Sequence, residues 1–160
     1  MSRTFRLSAV YAALLAVTVV TPAMAKWPPW LSIESPVNPF DASTRGTVFL
    51  VHAATHDGTP ELSALSGSAE GLVAGSRRTI ALTLTATSHP GVFAVRKQWP
   101  SEGTWLVRIT LASTTALVSL DAKDNVANVY VPTTIAEGRQ IPRAVVAREI
   151  DSTLEVASAR

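Results

Sequence analysis

The stretch HPGVFAVRKQWPSEGTWLVRIT, residues 89–110, decides the fold class of this chain. In its last part Trp105, Val107 and Ile109 occupy alternate positions, which is the period of a strand with one buried face. The run VFAVRKQW alternates in the same way, and PSEG between the two runs has the composition of a tight turn. The stretch therefore predicts two β-strands between which the chain reverses.

Further strand-like runs lie on both sides of this stretch, at a spacing of about 12 residues that is typical of sandwiches and barrels. One run contains Gly67, which predicts an interruption, and the last run predicts a hairpin closed around residues 123–125. A sheet with one apolar face needs a second sheet to cover it. We therefore predict an all-β fold, an antiparallel β-sandwich over residues 46–132. The runs are TVFLVHAA (47–54), ELSALSGSAEGL (61–72), RTIALTLTAT (78–87) and ALVSLDAKDNVANVYVP (116–132).

The C-terminal extension, residues 133–160, differs in pattern from the strands. Within it Val146, Ile150 and Leu154 follow one another at intervals of four, which makes a narrow apolar stripe on a helix. Pro142 stands where a helix can start. The extension therefore predicts a short C-terminal helix, with a frayed tail as the alternative.

The first 25 residues have the pattern of a secretory signal peptide. Arg3 and Arg6 precede an uncharged apolar run at 7–20, and the run is followed by an Ala-Met-Ala site that ends at Ala25. The alternative is a retained membrane anchor, because residues 7–25 approach the ~20 apolar residues that span a bilayer. We expect a periplasmic or secreted protein that has no stable membrane insertion after cleavage.

Charge and cysteine content exclude several classes of partner and site. The chain has 14 basic and 12 acidic residues, so loss of Arg3 and Arg6 with the leader leaves 12 of each. A balanced charge gives no reason to expect nucleic acid or an anionic membrane as a partner. Since the chain has no cysteine, disulfides and thiolate metal sites are excluded.

A proline-rich lead-in occupies residues 26–45. Its sequence KWPPWLSIESPVNPF predicts an extended segment with one short edge strand near residues 31–34. Trp27 and Trp30 flank the Pro-Pro pair. These two rings either cover one end of the sandwich or bind an unknown protein partner.

The pattern of glycine, aromatic, P-x-x-G-x-W and apolar strand is similar to that of the FixH and YtkA-like family of extracytoplasmic domains. A looser similarity is to the copper-resistance protein C type of sandwich. The resemblance implies an immunoglobulin-like β-sandwich, a non-enzymatic role, and a connection with oxidase assembly or metal handling. The chain differs from the copper type because its mature form would begin with Lys26 and contain no methionine. The residues that carry the main resemblance are Gly91, Phe93, Pro100, Gly103 and Trp105.

The three histidines are candidate ligands of copper or zinc. His52 and His56 lie in VHAATHDG, residues 51–58, and in an extended strand they would be about 13 Å apart, too far to share an ion. A chain reversal after residue 54 would bring them together, and His89 could then complete a site with Asp57. The alternative is that all three are ordinary histidines at strand ends and in loops.

No catalytic pattern stands out in the sequence. The run GSAEG at 67–71 has the outline of a nucleophile elbow, but Ala69 stands in the place of the serine. We therefore expect no enzyme, but an exported accessory domain that acts by protein–protein interaction through Trp27 and Trp30 or through an exposed edge strand. The alternative function is a periplasmic copper or zinc binding protein that uses the three histidines.

Overall fold

The structure is a computed structural model that describes residues 27–55, 57–60 and 65–159. The described residues form eleven strands, a short 3₁₀ helix at Ala42–Thr44 and one α-helix. The elements are β1 Trp30–Glu34, β2 Thr47–Ala54, β3 Leu65–Val73, β4 Ser76–Leu82, β5 Thr85–Ala86, β6 Val92–Arg96, β7 Thr104–Leu111, β8 Thr114–Leu120, β9 Val126–Tyr130, β10 Thr133–Ala136, β11 Arg139–Pro142 and α1 Ala147–Ser158.

Two antiparallel sheets form the sandwich. Their strand orders are β1-β2-β6-β5 and β4-β3-β7-β8-β9, and β10 and β11 form a separate hairpin. The first order corresponds to strands A-B-E-D of an immunoglobulin domain, and β3-β7-β8 corresponds to C-F-G. The structure therefore confirms the predicted antiparallel immunoglobulin-like sandwich with a short C-terminal helix.

The core lies between the two sheets and follows the alternation of the strands. On β7, Trp105, Val107 and Ile109 are at most 4% exposed, as their period predicts. Phe49 and Val95 meet them from the other sheet. The β6–β7 reversal carries the chain from the first sheet to the second, so β6 and β7 are not hydrogen-bonded neighbours.

Two predicted strand features were wrong in detail. β3 runs through Gly67 without interruption, because Gly67 pairs in regular register with Leu82 of β4 and with Ile109 of β7. The missing side chain leaves room for Leu84 and Ile109, whose ends would lie 3.2 and 3.3 Å from a Cβ there. The 78–87 run is divided between β4 and β5, which belong to different sheets. At the division, the Gln98 side chain accepts from the N–H of Thr83 and donates to its carbonyl, both at 2.9 Å.

The C-terminal extension holds a hairpin that the sequence pattern did not predict. Pro142 ends β11, and the helix begins five residues later, at Ala147. Ile150 and Leu154 of the predicted stripe are buried, whereas Val146 is 50% exposed at the N-cap. The helix therefore packs through a two-residue stripe on the outer face of the five-stranded sheet, against Leu106 and Leu117.

The predicted signal peptide, and the anchor that was its alternative, lie outside the described residues. No helix among the residues that the structure describes is long and apolar enough to cross a membrane.

Candidate functional site

Two of the three predicted histidine ligands, His52 and His89, lie on the first sheet or beside it. His52 projects from β2, and its Nε2 atom is 2.7 Å from Glu34 Oε2 on β1. His89 lies in the turn before β6, where its carbonyl accepts from the N–H of Val92. His56 lies outside the described residues. Within the described part of the chain, no group of three or more histidines and carboxylates could hold a metal ion.

Asp57, the fourth candidate ligand, closes its own loop. Its carboxylate accepts hydrogen bonds from the Thr55 hydroxyl and from the N–H of Thr59. These bonds, that from Thr55 above all, lower the pKa of Asp57 to about 2. Asp57 therefore has a structural role in its own turn. Because His56 lies outside the described residues, the three-histidine site stays a prediction.

The lead-in contacts the β10–β11 hairpin at one point and the sandwich at another. The Arg139 guanidinium lies 5.4 Å from the centre of the Trp27 ring, a cation–π contact. The Pro29 carbonyl accepts from the buried Thr114 hydroxyl at 2.8 Å. Trp30 is 58% exposed at the start of β1. Trp27 therefore packs against the C-terminal hairpin, and the role of the two rings in partner binding stays a prediction.

A groove of about 930 Å³ lies on the outer face of the second sheet. The helix α1 packs over β3, β7 and β8 and contacts β9 through the hydrogen bond from the Tyr130 hydroxyl to Glu149, so that a depression lies between the helix and the rest of β9. The loops at the start of β7 and the end of β8 close one end of the groove. Its floor and wall include Thr104, Ser119, Asn128, Tyr130, Ser152 and Val156.

The charged residues that line the groove are engaged within the chain. Lys97 donates to Asp124 at 2.6 Å, and Asp121 accepts two backbone N–H bonds, from Lys123 and Asn125, at 2.8 Å. These bonds neutralise or occupy the charges that an incoming ligand would otherwise meet.

Glu149 is the centre of the wall of the groove. Its carboxylate receives two bonds from Arg143, at 2.6 and 2.9 Å, and one from the Tyr130 hydroxyl at 2.9 Å. It also accepts from the N–H of Val146 at 3.0 Å, which caps the helix. The Arg143 bonds first, and then the Val146 bond, lower the pKa of Glu149 to about 2. The same carboxylate raises the pKa of Tyr130 through their hydrogen bond.

The hydroxyl groups of the helix present their oxygens as acceptors. Ser152 and Thr153 both donate to the Glu149 carbonyl, at 3.1 and 2.6 Å, and Ser158 donates to the Glu155 carbonyl at 2.9 Å. A hydroxyl that donates its only proton keeps two acceptor positions. The wall of the groove therefore suits a ligand that supplies N–H groups.

A buried charge cluster holds the other side of the helix. Glu70 on β3 is 4% exposed, and its carboxylate lies 3.1 Å from Arg108 and 3.9 Å from Arg77. Arg77 also pairs with Asp151 of α1. The helix is thus held to the sheet on both sides, through Glu149 on one and Asp151 on the other. Two hydroxyls complete the cluster, those of Ser68 at 3.0 Å and Thr79 at 2.7 Å.

Sequence reasoning did not find this groove. One sequence signal of it was the hairpin predicted around residues 123–125. That hairpin predicts that β9 is a strand, but it does not predict which sheet β9 joins. Where α1 lies depends on Leu106 and Leu117, apolar residues that alternate with core residues and are directed away from the core. Comparisons of the chain with profiles of known protein families, with curated proteins and with solved structures find no match.

Proposed function

We propose that this protein is an exported, non-enzymatic accessory domain that binds an extended, uncharged segment of a protein partner in the groove beside α1. One observation carries the proposal. The charged residues of the groove are engaged within the chain, while hydroxyl oxygens of α1 face it as acceptors. The export step rests on the signal-peptide pattern of residues 1–25.

The floor of the groove supports an extended ligand. It runs along β9, whose outward-directed side chains Asn128 and Tyr130 line it beside the hydroxyl groups of α1. An extended segment that lies along this floor presents its N–H groups at a regular spacing to the hydroxyl oxygens of the wall.

Several features support a binding role over catalysis. A serine nucleophile needs a base within hydrogen-bond reach. In the groove the Ser101 hydroxyl accepts from Lys97 Nζ at 2.9 Å, but the same amine donates to Asp124 at 2.6 Å and is thus engaged as a hydrogen-bond donor rather than as a base. His52 projects from the sheet on the opposite side of the sandwich. The order of the sheets also agrees with the immunoglobulin-like fold that the FixH and YtkA-like resemblance implies, and membership of that family remains a proposal.

The test is a selection of random peptides on the purified protein, followed by calorimetry with the enriched sequences. We expect uncharged, strand-forming sequences that bind the wild-type protein and lose at least tenfold in affinity with Ser152→Arg, because the arginine side chain would fill the groove. Ser88→Arg, an equally polar and exposed change in a distant turn, is the matched control. Enrichment of charged sequences, or equal binding by both variants, would contradict the proposal.

The copper or zinc function is the second candidate, and one contact favours it. His52 and Glu34 place a nitrogen and an oxygen donor 2.7 Å apart on the exposed face of the first sheet. Both are ordinary zinc ligands, but a stable site needs three or four.

A further inference from the structure

Edge strand β9 lacks the features that keep sheet edges apart. Its sequence VANVY, Val126–Tyr130, has no charged residue and no proline. Its side chain Val129 is 39% exposed although it belongs to the face that is directed toward the core. Natural sheets guard their edges with charges, prolines or very short strands, because an open edge pairs with another chain.

The other three edges of the sandwich are guarded. β4 carries Arg77 and Arg78, β5 has two residues, and β1 is bounded by Pro29 and Pro36. The contrast within one domain singles out β9 as the edge that is built for pairing.

From this contrast we infer that a second copy of the chain pairs its β9 with this β9, antiparallel about a two-fold axis at Val129, and thereby completes the groove. The binding of a peptide between the two copies rests on the proposed function. The β9–β9 pairing rests on the features of the edge strand alone.

The two-fold register brings compatible side chains together. Ala127 is the extra residue of a bulge, and regular pairing with β8 covers Asn128 to Tyr130. With the axis at Val129, the two exposed valines cover each other on the core side, and Asn128 lies opposite Tyr130 of the second copy. No like charges meet, whereas a β4–β4 pairing would bring arginines together.

The second copy would supply the missing wall. Each α1 packs over β3, β7 and β8, so its axis lies about two strand spacings from β9. With a spacing of about 4.8 Å between strands, the two helix axes would be about 24 Å apart across the joined edge. Subtracting about 10 Å for the helices leaves about 14 Å, which is room for an extended segment with its side chains. A single chain provides only one wall, so the site is incomplete without the second copy.

The pairing is tested by sedimentation of the purified protein and by a single cysteine at the axis. We expect the mass to rise toward two chains with concentration, and Val129→Lys to remain at one chain because two lysines would face each other. Val129→Cys should form a disulfide-linked dimer under mild oxidation, because paired residues at a two-fold axis have Cα atoms about 4.5–5.5 Å apart. The chain has no other cysteine, and Ala81→Cys on the β4 edge is the control.

The outcomes separate the pairing from the proposed function. One chain mass at all concentrations, or equal cross-linking of both cysteine variants, overturns the inference even if peptides bind in a Ser152-dependent way. A dimer that binds one selected peptide per two chains supports the completed groove. A dimer that binds one peptide per chain overturns the inference that the second copy supplies the second wall of one shared groove.

Discussion

The indole ring of Trp105 lies directly on the backbone of Gly71. The two residues are cross-strand partners in the β3–β7 pair, and a Cβ atom at Gly71 would come within 2.4 Å of Trp105 Cε3. The ring is 4% exposed, and its indole N–H donates to the Glu102 carbonyl at 2.8 Å. The absence of a side chain at Gly71 on the neighbouring strand therefore makes room for the ring of Trp105, which also lines the groove.

Replacement of Gly71 by alanine should destabilise the fold by about 1–3 kcal/mol, because the ring must move from a packed position. The measurement is urea unfolding followed by tryptophan fluorescence. Gly67→Ala is the matched control, since Gly67 lies on the same face of β3 and its new Cβ would meet the flexible ends of Leu84 and Ile109 and lie at an ordinary van der Waals distance, 3.5 Å, from Leu82 Cβ. Equal losses of stability in the two variants would show that the Trp105 contact is not the cause.

Replacement of Glu149 by glutamine should lower the free energy of unfolding by roughly 1–3 kcal/mol at neutral pH, because the charge-assisted bonds from Arg143 are lost. Chemical unfolding at a series of pH values measures the effect. Glu155→Gln, an exposed position on the same helix, should change stability little at any pH.

The pH dependence of this difference has a definite sign. The pKa of Glu149 falls from 4.5 to about 2 in the folded protein, so the unfolded chain takes up the proton first. The carboxylate therefore stabilises the fold fully above its unfolded value of 4.5, and this stabilisation is lost as the pH falls to about 2. The gap between wild type and Glu149→Gln should narrow across that window. A gap that is constant with pH would contradict the assignment.

Alternation along the strands made much of the fold predictable. The period of Trp105, Val107 and Ile109 places one face in the core whichever sheet the strand joins, because the period depends on local geometry alone. The division of the 78–87 run could not be predicted in this way. It depends on Gln98, which is 15 residues from Thr83 in sequence and holds both backbone groups of that residue.

The groove was beyond the reach of sequence patterns for a similar reason. Leu106 and Leu117 are apolar at positions that face outward, and this excess is the only local sign that something covers them. Which element covers them depends on the contacts of Glu149 with Arg143 and Tyr130, and the last of these is 19 residues away. Hydrogen bonds between single side chains that are distant in sequence follow no periodic pattern, so they cannot be predicted from the sequence.

Export can be tested by the mass of the protein recovered from outside the cytoplasm. We expect a mature chain that begins with Lys26, because the Ala-Met-Ala site ends at Ala25. Intact mass spectrometry measures this directly. Ala25→Arg should block cleavage and leave the full chain bound to the membrane, whereas Ala53→Gly, a change within the domain, should leave processing intact. A full-length product from the wild-type gene would instead favour the retained anchor.

Metal binding is tested by calorimetric titration of the untagged protein with zinc and copper. We expect no stoichiometric binding at sub-micromolar affinity, because His52 and Glu34 are the only pair of potential ligands in contact on the described part of the first sheet, and two protein ligands hold these ions weakly. His52→Ala and Ser32→Ala serve as the paired variants, since Ser32 lies opposite His52 in the β1–β2 register without supplying an imidazole. Tight one-to-one binding that His52→Ala abolishes and Ser32→Ala preserves would overturn this expectation. His56 and His89 would then be the next ligands to replace, and the copper or zinc function would take precedence over the peptide-binding groove.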